Sequence, residues 1–102
     1  MQFIIVKHGE NLLNLTRRIG YVPSKHNTSF EFSFYRPLSR QGYPRFHLYI
    51  KEDAQSGNFI FNLHLDQKKP SYKGTTAHSG EYGGGLVEQE AARIKSLLEI
   101  RE

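Results

Sequence analysis

Three consecutive segments of the chain alternate between inward and outward side chains. A period of two, repeated three times in succession, is the signature of strands with one dry and one wet face. Phe30, Phe32 and Phe34 alternate with Glu31, Ser33 and Tyr35. Phe46, Leu48 and Ile50 alternate with Arg45, His47, Tyr49 and Lys51. Phe59, Phe61, Leu63 and Leu65 alternate with Asn58, Ile60, Asn62, His64 and Asp66. The connections hold turn formers, Pro37, Ser39 and Gly42 in one and Asp53, Ser56 and Gly57 in the other. Connections this short join antiparallel neighbours, so the segments form a meander.

Helical spacing flanks the meander. Leu12, Leu15 and Ile19 fall on one helix face, with Leu13 beside them and Glu10 near the start. Arg17 and Arg18 occupy the last turn, where the helix dipole favours cations. Gly20 is placed to cap this helix in the left-handed region, and Pro23 stops it from resuming. A second helix is expected over about 86–100, with Val87, Ala91, Ile94 and Leu98 as its core stripe. Residues 3–6 can add a fourth, edge strand. The expected fold is α+β, a single domain over residues 1–102. A three-stranded antiparallel meander carries two helices on its aromatic face, in the order (β)αβββα.

Aligning the apolar positions sets Ile50 opposite Phe59, Leu48 opposite Phe61 and Phe46 opposite Leu63. The other face then pairs Tyr49 with Ile60, His47 with Asn62 and Arg45 with His64. Strand one sets Ser33 beside His47 and Tyr35 beside Arg45. This face is either the wet side that antiparallel sheets ordinarily have or a recognition surface. Two histidines, two tyrosines and an arginine are more varied than solvation alone requires.

Seven Phe and six Tyr carry much of the apolar load, and there is no Trp. The absence of Cys excludes disulfides, thiolate zinc sites and Cys nucleophiles. The first apolar run, Phe3 to Val6, has four residues, whereas a secretory signal needs an apolar core of about 7–15. No stretch reaches the roughly 18 apolar residues of a membrane span. The expectation is a cytoplasmic protein with no membrane partner.

The net charge is +4. Residues 17–73 hold ten Lys/Arg against four Asp/Glu, whereas residues 86–102 hold three against four. A basic body suits a polyanion, most often nucleic acid, and serves solubility equally well. The expected phosphate-binding cations are Arg36, Arg40, Arg45, Lys51, Lys68, Lys69 and Lys73. Tyr49 and Tyr72 are candidates to stack on unpaired bases. The leading expectation is a non-catalytic RNA- or DNA-binding module with no cofactor.

Two alternatives stand beside it. His64 and Asp66 share one face of strand three, and His78 and Glu81 lie in the loop after it. Imidazole and carboxylate together suit Zn, Mn or Fe, or metal-assisted hydrolysis. No recognised metal-ligand spacing such as His-Glu-x-x-His is present. His64 and Asp66 serve equally well by bonding to neighbours and anchoring the loop. The third reading is a protein-interaction module, or a homodimer paired through an edge strand.

Residues 67–85 show no periodicity, and loops longer than about 12–15 residues tend to be functional or disordered. Gly80-Glu81-Tyr82-Gly83-Gly84-Gly85 lacks the Lys-Ser/Thr of a phosphate-binding loop and the spacing of a dinucleotide fingerprint. It reads as a permissive lead-in to the helix.

The order helix, three strands, helix over residues 10–100 resembles the double-stranded-RNA-binding domain at the level of fold. In that family a Lys-rich segment grips phosphate at the start of the final helix. Here that start reads Gly83-Gly84-Gly85-Leu86-Val87-Glu88-Gln89-Glu90, which is acidic, and Lys68 and Lys69 lie too far upstream. The turn from Pro37 to Pro44 also lacks the family's His-containing pattern, so the family is not assigned. The run His64-Leu65-Asp66-Gln67-Lys68-Lys69-Pro70-Ser71-Tyr72, with His78-Ser79-Gly80-Glu81-Tyr82, resembles that of small uncharacterised bacterial proteins. That resemblance covers most of the chain, implies no activity and transfers no site.

Overall fold

The computed structural model describes residues 1–6, 9–25, 31–67 and 84–99. Its elements are β1 (Gln2–Ile5), α1 (Leu12–Arg18), β2 (Val22–Pro23), β3 (Phe32–Pro37), β4 (Arg45–Glu52), β5 (Phe59–Asp66) and α2 (Gly84–Glu99). The protein is α+β, with an antiparallel sheet and two helices, as the period-two and helical spacings require. The sheet has five strands in the order β1-β5-β4-β3-β2, rather than three with an optional fourth. The N-terminal segment is the edge strand expected of it, paired with β5. β2 escaped the periodicity because it is two residues long. Pro23 lacks an N–H, which confines it to such an edge.

β1 and β2 lie at opposite edges of the sheet, so the chain between them, α1 included, must cross it. Asn11 caps the start of α1 by accepting the Asn14 N–H at 2.9 Å. At its other end Gly20 takes φ +85°, the left-handed conformation that a glycine adopts without penalty. Leu15 and Ile19 are buried and Leu12 is partly buried against the core, whereas Leu13 is 55% exposed.

The dry face holds Phe34, Phe46, Leu48, Ile50, Phe59, Phe61, Leu63 and Leu65, with Phe3 and Ile5 from β1. Val87, Ala91, Ile94 and Leu98 of α2 close over it. Full burial of a Leu or Ile side chain contributes about 1.5–3 kcal/mol, so these residues supply most of the driving force. Phe32 departs from the expected core at 37% exposure, and Phe30 lies outside the described residues.

The strand register differs by two residues from that expected. Ile50 faces Phe61, Leu48 faces Leu63, His47 faces His64 and Arg45 faces Asp66. On the other side Tyr35, not Ser33, faces His47. A shift of two keeps every side chain on its expected face but changes every neighbour. The turns decide the outcome. Asp53 N–H donates to the Asn58 carbonyl at 2.8 Å and Leu38 N–H to the Pro44 carbonyl at 2.9 Å. Pairing therefore continues closer to each turn than apolar matching alone indicates.

One buried carboxylate ties α2 to the rest. Glu90 is 4% exposed and takes both oxygens into hydrogen bonds. Tyr21 hydroxyl donates to Oε2 at 2.7 Å, and Arg93 donates from Nε at 2.9 Å and from Nη2 at 2.8 Å. Arg36 Nη1 reaches Oε1 at 3.4 Å. Arg93 also donates to the Ile19 carbonyl at 2.6 Å, satisfying an orphan acceptor at the end of α1. Burial, then the charge of Glu90, pushes the Tyr21 phenol well above its usual value.

The sign of that shift gives a test. Below the ordinary phenol pKa near 10, Tyr21 is protonated in both the folded and unfolded chains. Above it the unfolded chain releases the proton while the folded chain holds it. Stability from this group is therefore lost as pH rises, with a limiting slope of about 1.4 kcal/mol per pH unit. Urea midpoints of Tyr21→Phe should fall less steeply between about pH 9.5 and 11 than those of the parent. Parallel curves would show that Tyr21 does not hold its proton.

Candidate functional site

The alternation that fills the core turns a second set of side chains outward on the three central strands. β3 presents Ser33 and Tyr35, β4 presents Arg45, His47, Tyr49 and Lys51, and β5 presents Asn62, His64 and Asp66. Most are half-buried, but Ser33 and Asp66 are buried, at 7% and 5% exposure. A sheet face open to water does not ordinarily bury a carboxylate.

His47 sits at the centre of this set. Its Nε2 lies 2.6 Å from Ser33 Oγ, and its Nδ1 lies 3.4 Å from Asp66 Oδ2. In the tautomer that carries its proton on Nδ1, Nε2 accepts from the Ser33 hydroxyl; in the other tautomer the direction reverses. The Tyr49 hydroxyl is 3.5 Å from the same Nδ1. The His47 and Tyr49 rings stack at 4.3 Å with 26° between planes, and Tyr49 meets His64 edge-on at 5.7 Å. Burial, then the charges of Asp66 and Glu31, raises the Tyr49 phenol above its usual value.

Arg45 extends the array. Its guanidinium lies 4.8 Å from the Tyr35 ring centre and 4.6 Å from that of Tyr43, an aromatic clamp on a cation. Its Nε is 3.9 Å from Asp66 Oδ2, an ion-pair separation too long for a hydrogen bond, and that nitrogen is buried with no acceptor among the described residues. Beside the rings, Gln2, Glu31, Tyr49, Lys51, Ile60 and Asn62 line a hollow of about 170 Å³.

The expected nucleic-acid residues are not all brought together. Arg45, Tyr49 and Lys51 share β4 and the polar face. Arg36 lies on the other face, engaged with Glu90. Arg40 is exposed in the turn after β3. Lys68, Lys69, Tyr72 and Lys73 lie outside the described residues. Of the alternative metal set, His64 and Asp66 share the face, and His78 and Glu81 lie outside the described residues. Among the described residues no group of three His, Asp or Glu could hold a metal ion. Nor is any helix among them long and apolar enough to cross a membrane.

Sequence reasoning placed Ser33, Tyr35 and His47 on this face but assigned them no role, and it left Tyr43 in a loop. The signal for Ser33 and His47 was present in the strand parity. Only the register was needed to bring His47 within reach of Asp66. No family model, curated protein or solved structure matches this chain.

Removing the Asp66 carboxylate leaves the Arg45 guanidinium and the His47 ring without their anionic neighbour in a largely dry site. Asp66→Ala should cost about 1–3 kcal/mol in urea denaturation. An unchanged midpoint would show that this contact contributes nothing to the fold.

Proposed function

We propose that the polar face of the sheet is a platform for single-stranded nucleic acid, RNA or DNA. One observation supports this reading above the others. The face carries two groups of rings, His47, Tyr49 and His64 in mutual contact and Tyr35 and Tyr43 about the Arg45 guanidinium, with Tyr35 opposite His47 in the sheet. Unpaired bases stack on such rings with little regard to sequence, and a guanidinium held between them serves both stacking and phosphate contact. Lys51 lies exposed at one end of the array as a phosphate partner. The net charge of +4 favours approach of a polyanion. In this reading Lys68, Lys69 and Lys73, outside the described residues, supply further phosphate contacts and Tyr72 a further stacking group. Arg40 contributes from the turn, while Arg36 is committed to Glu90.

The rings shift the weight of the argument from charge to stacking. Arg18, Arg36, Arg45 and Arg93 each have a carboxylate partner, so part of the positive charge among the described residues is compensated. A platform of this kind binds unpaired strands better than duplex, whose bases are already stacked.

The test is a fluorescence titration with labelled single strands of about 12 nucleotides, at roughly 50 and 200 mM salt. Binding should be present at low salt and weaken at high salt. Tyr49→Ala should weaken it by about 5- to 150-fold, the equivalent of 1–3 kcal/mol for one stacked base. Absence of binding at low salt, indifference to salt, or preference for duplex over single strand would each overturn the reading.

A further inference from the structure

We infer that Ser33 is an activated nucleophile, with His47 as its base and Asp66 as the group that positions the imidazole. This goes beyond the binding platform and does not rest on it. The warrant is a line of three groups contributed by three different strands. Ser33 Oγ stands 2.6 Å from His47 Nε2, and His47 Nδ1 stands 3.4 Å from Asp66 Oδ2. That is the order nucleophile, base, orienting carboxylate that activates serine on unrelated folds, where it is defined by geometry rather than by sequence position. The 3.4 Å separation is loose, as base-to-orienter contacts often are without substrate.

Two features favour a working arrangement. The imidazole is held in one plane by the Tyr49 ring stacked on it at 4.3 Å. Asp66 is buried, so its charge acts on Nδ1–H with less solvent screening than on an open sheet face. Beyond Pro23 the chain continues alongside Ser33, the Ser24 N–H donating to the Ser33 carbonyl at 2.8 Å.

The substrate class is a carboxylic ester with a good leaving group. Ser33 Oγ forms a bond to the acyl carbon and gives its proton to His47 Nε2. The ester C–O bond breaks, and His47 passes the proton to the departing alcohol oxygen. Water then repeats the sequence on the acyl-serine, restoring Ser33 and releasing the acid. The step needs no oxidant, reductant or second substrate beyond water.

The full chain incubated with diisopropyl fluorophosphate tests this directly. Oγ bonds to phosphorus, the P–F bond breaks, and the hydroxyl proton leaves through His47 with fluoride. Intact mass should show one adduct per chain, and peptide mapping should place it on Ser33. Ser33→Ala should abolish it. His47→Gln should slow labelling by about 100-fold or more, the usual share of a general base. Asp66→Asn should slow it less, with Asp66→Glu restoring part of the rate, which a purely structural role would not do. No adduct on the folded parent overturns the inference, as does an adduct mapped to a tyrosine or any residue other than Ser33. Because mapping is done on the parent, the result holds even if a variant fails to fold. Oligonucleotide binding is a separate readout, so either proposal can fail alone.

Discussion

The turn between β4 and β5 sets the register on which both faces of the sheet depend. Asp53 organises it. Its backbone N–H pairs with the Asn58 carbonyl, and its carboxylate accepts from the Ser56 hydroxyl at 2.7 Å and the Gln55 N–H at 3.4 Å. Gly57, at φ +77°, turns the chain back where a side chain would be strained. These bonds, the Ser56 hydroxyl first, hold the Asp53 carboxyl below its usual range. Closing the hairpin here places Glu52 opposite Phe59, and every later pair follows. The register two residues away that sets Ile50 opposite Phe59 would leave the core equally apolar, because parity is preserved. It would also separate His47 from Asp66. Hydrophobic burial chooses the face, while turn chemistry chooses the neighbours.

Much of the described cationic charge is structural. Glu90 gathers Arg93 and Arg36 where α1, α2 and β3 meet, and Asp66 faces Arg45 across β4 and β5. Glu10 holds Arg18 at 2.9 Å across the length of α1. The two buried carboxylates do different work. Glu90 receives hydrogen bonds from a phenol and a guanidinium and clamps a helix in place. Among the described residues Asp66 is met at ion-pair distances by a guanidinium and an imidazole, and Arg45 Nε has no acceptor. A buried group satisfied on all sides is architecture. One left partly unsatisfied beside an imidazole is where chemistry or a ligand has something to complete.

The sequence made the sheet legible because residues 46–50 and 59–65 repeat at period two without interruption, and α2 because four apolar residues recur at helical spacing. The edge strand β1 was legible from Phe3 to Val6. β2 was not, since two residues carry no period. The N-cap Asn11 was missed because Glu10, the nearer acidic residue, was read as the start signal, whereas Glu10 pairs with Arg18. The polar-face residues could be identified from parity alone. Their partnerships could not, because apolar matching is degenerate to shifts of two and the turn hydrogen bonds that break the degeneracy are local details. Arg36 was counted with the phosphate ligands because charge in a sequence carries no direction. Its position opposite Phe46 puts it on the helix-covered face.

His47 is the residue through which the two proposed uses of this face meet. As a ring it stacks on Tyr49 and continues the aromatic array toward His64. As a base it links a buried hydroxyl to a buried carboxylate. These roles do not compete for the same atoms, since stacking uses the faces of the imidazole and hydrogen bonding uses its edge. The stack also removes rotational freedom about the side chain, a loss of entropy met during folding rather than at the moment of reaction. An imidazole fixed in this way presents the same nitrogen to Ser33 in every molecule. That uniformity is what separates a positioned base from a surface histidine of the same intrinsic strength.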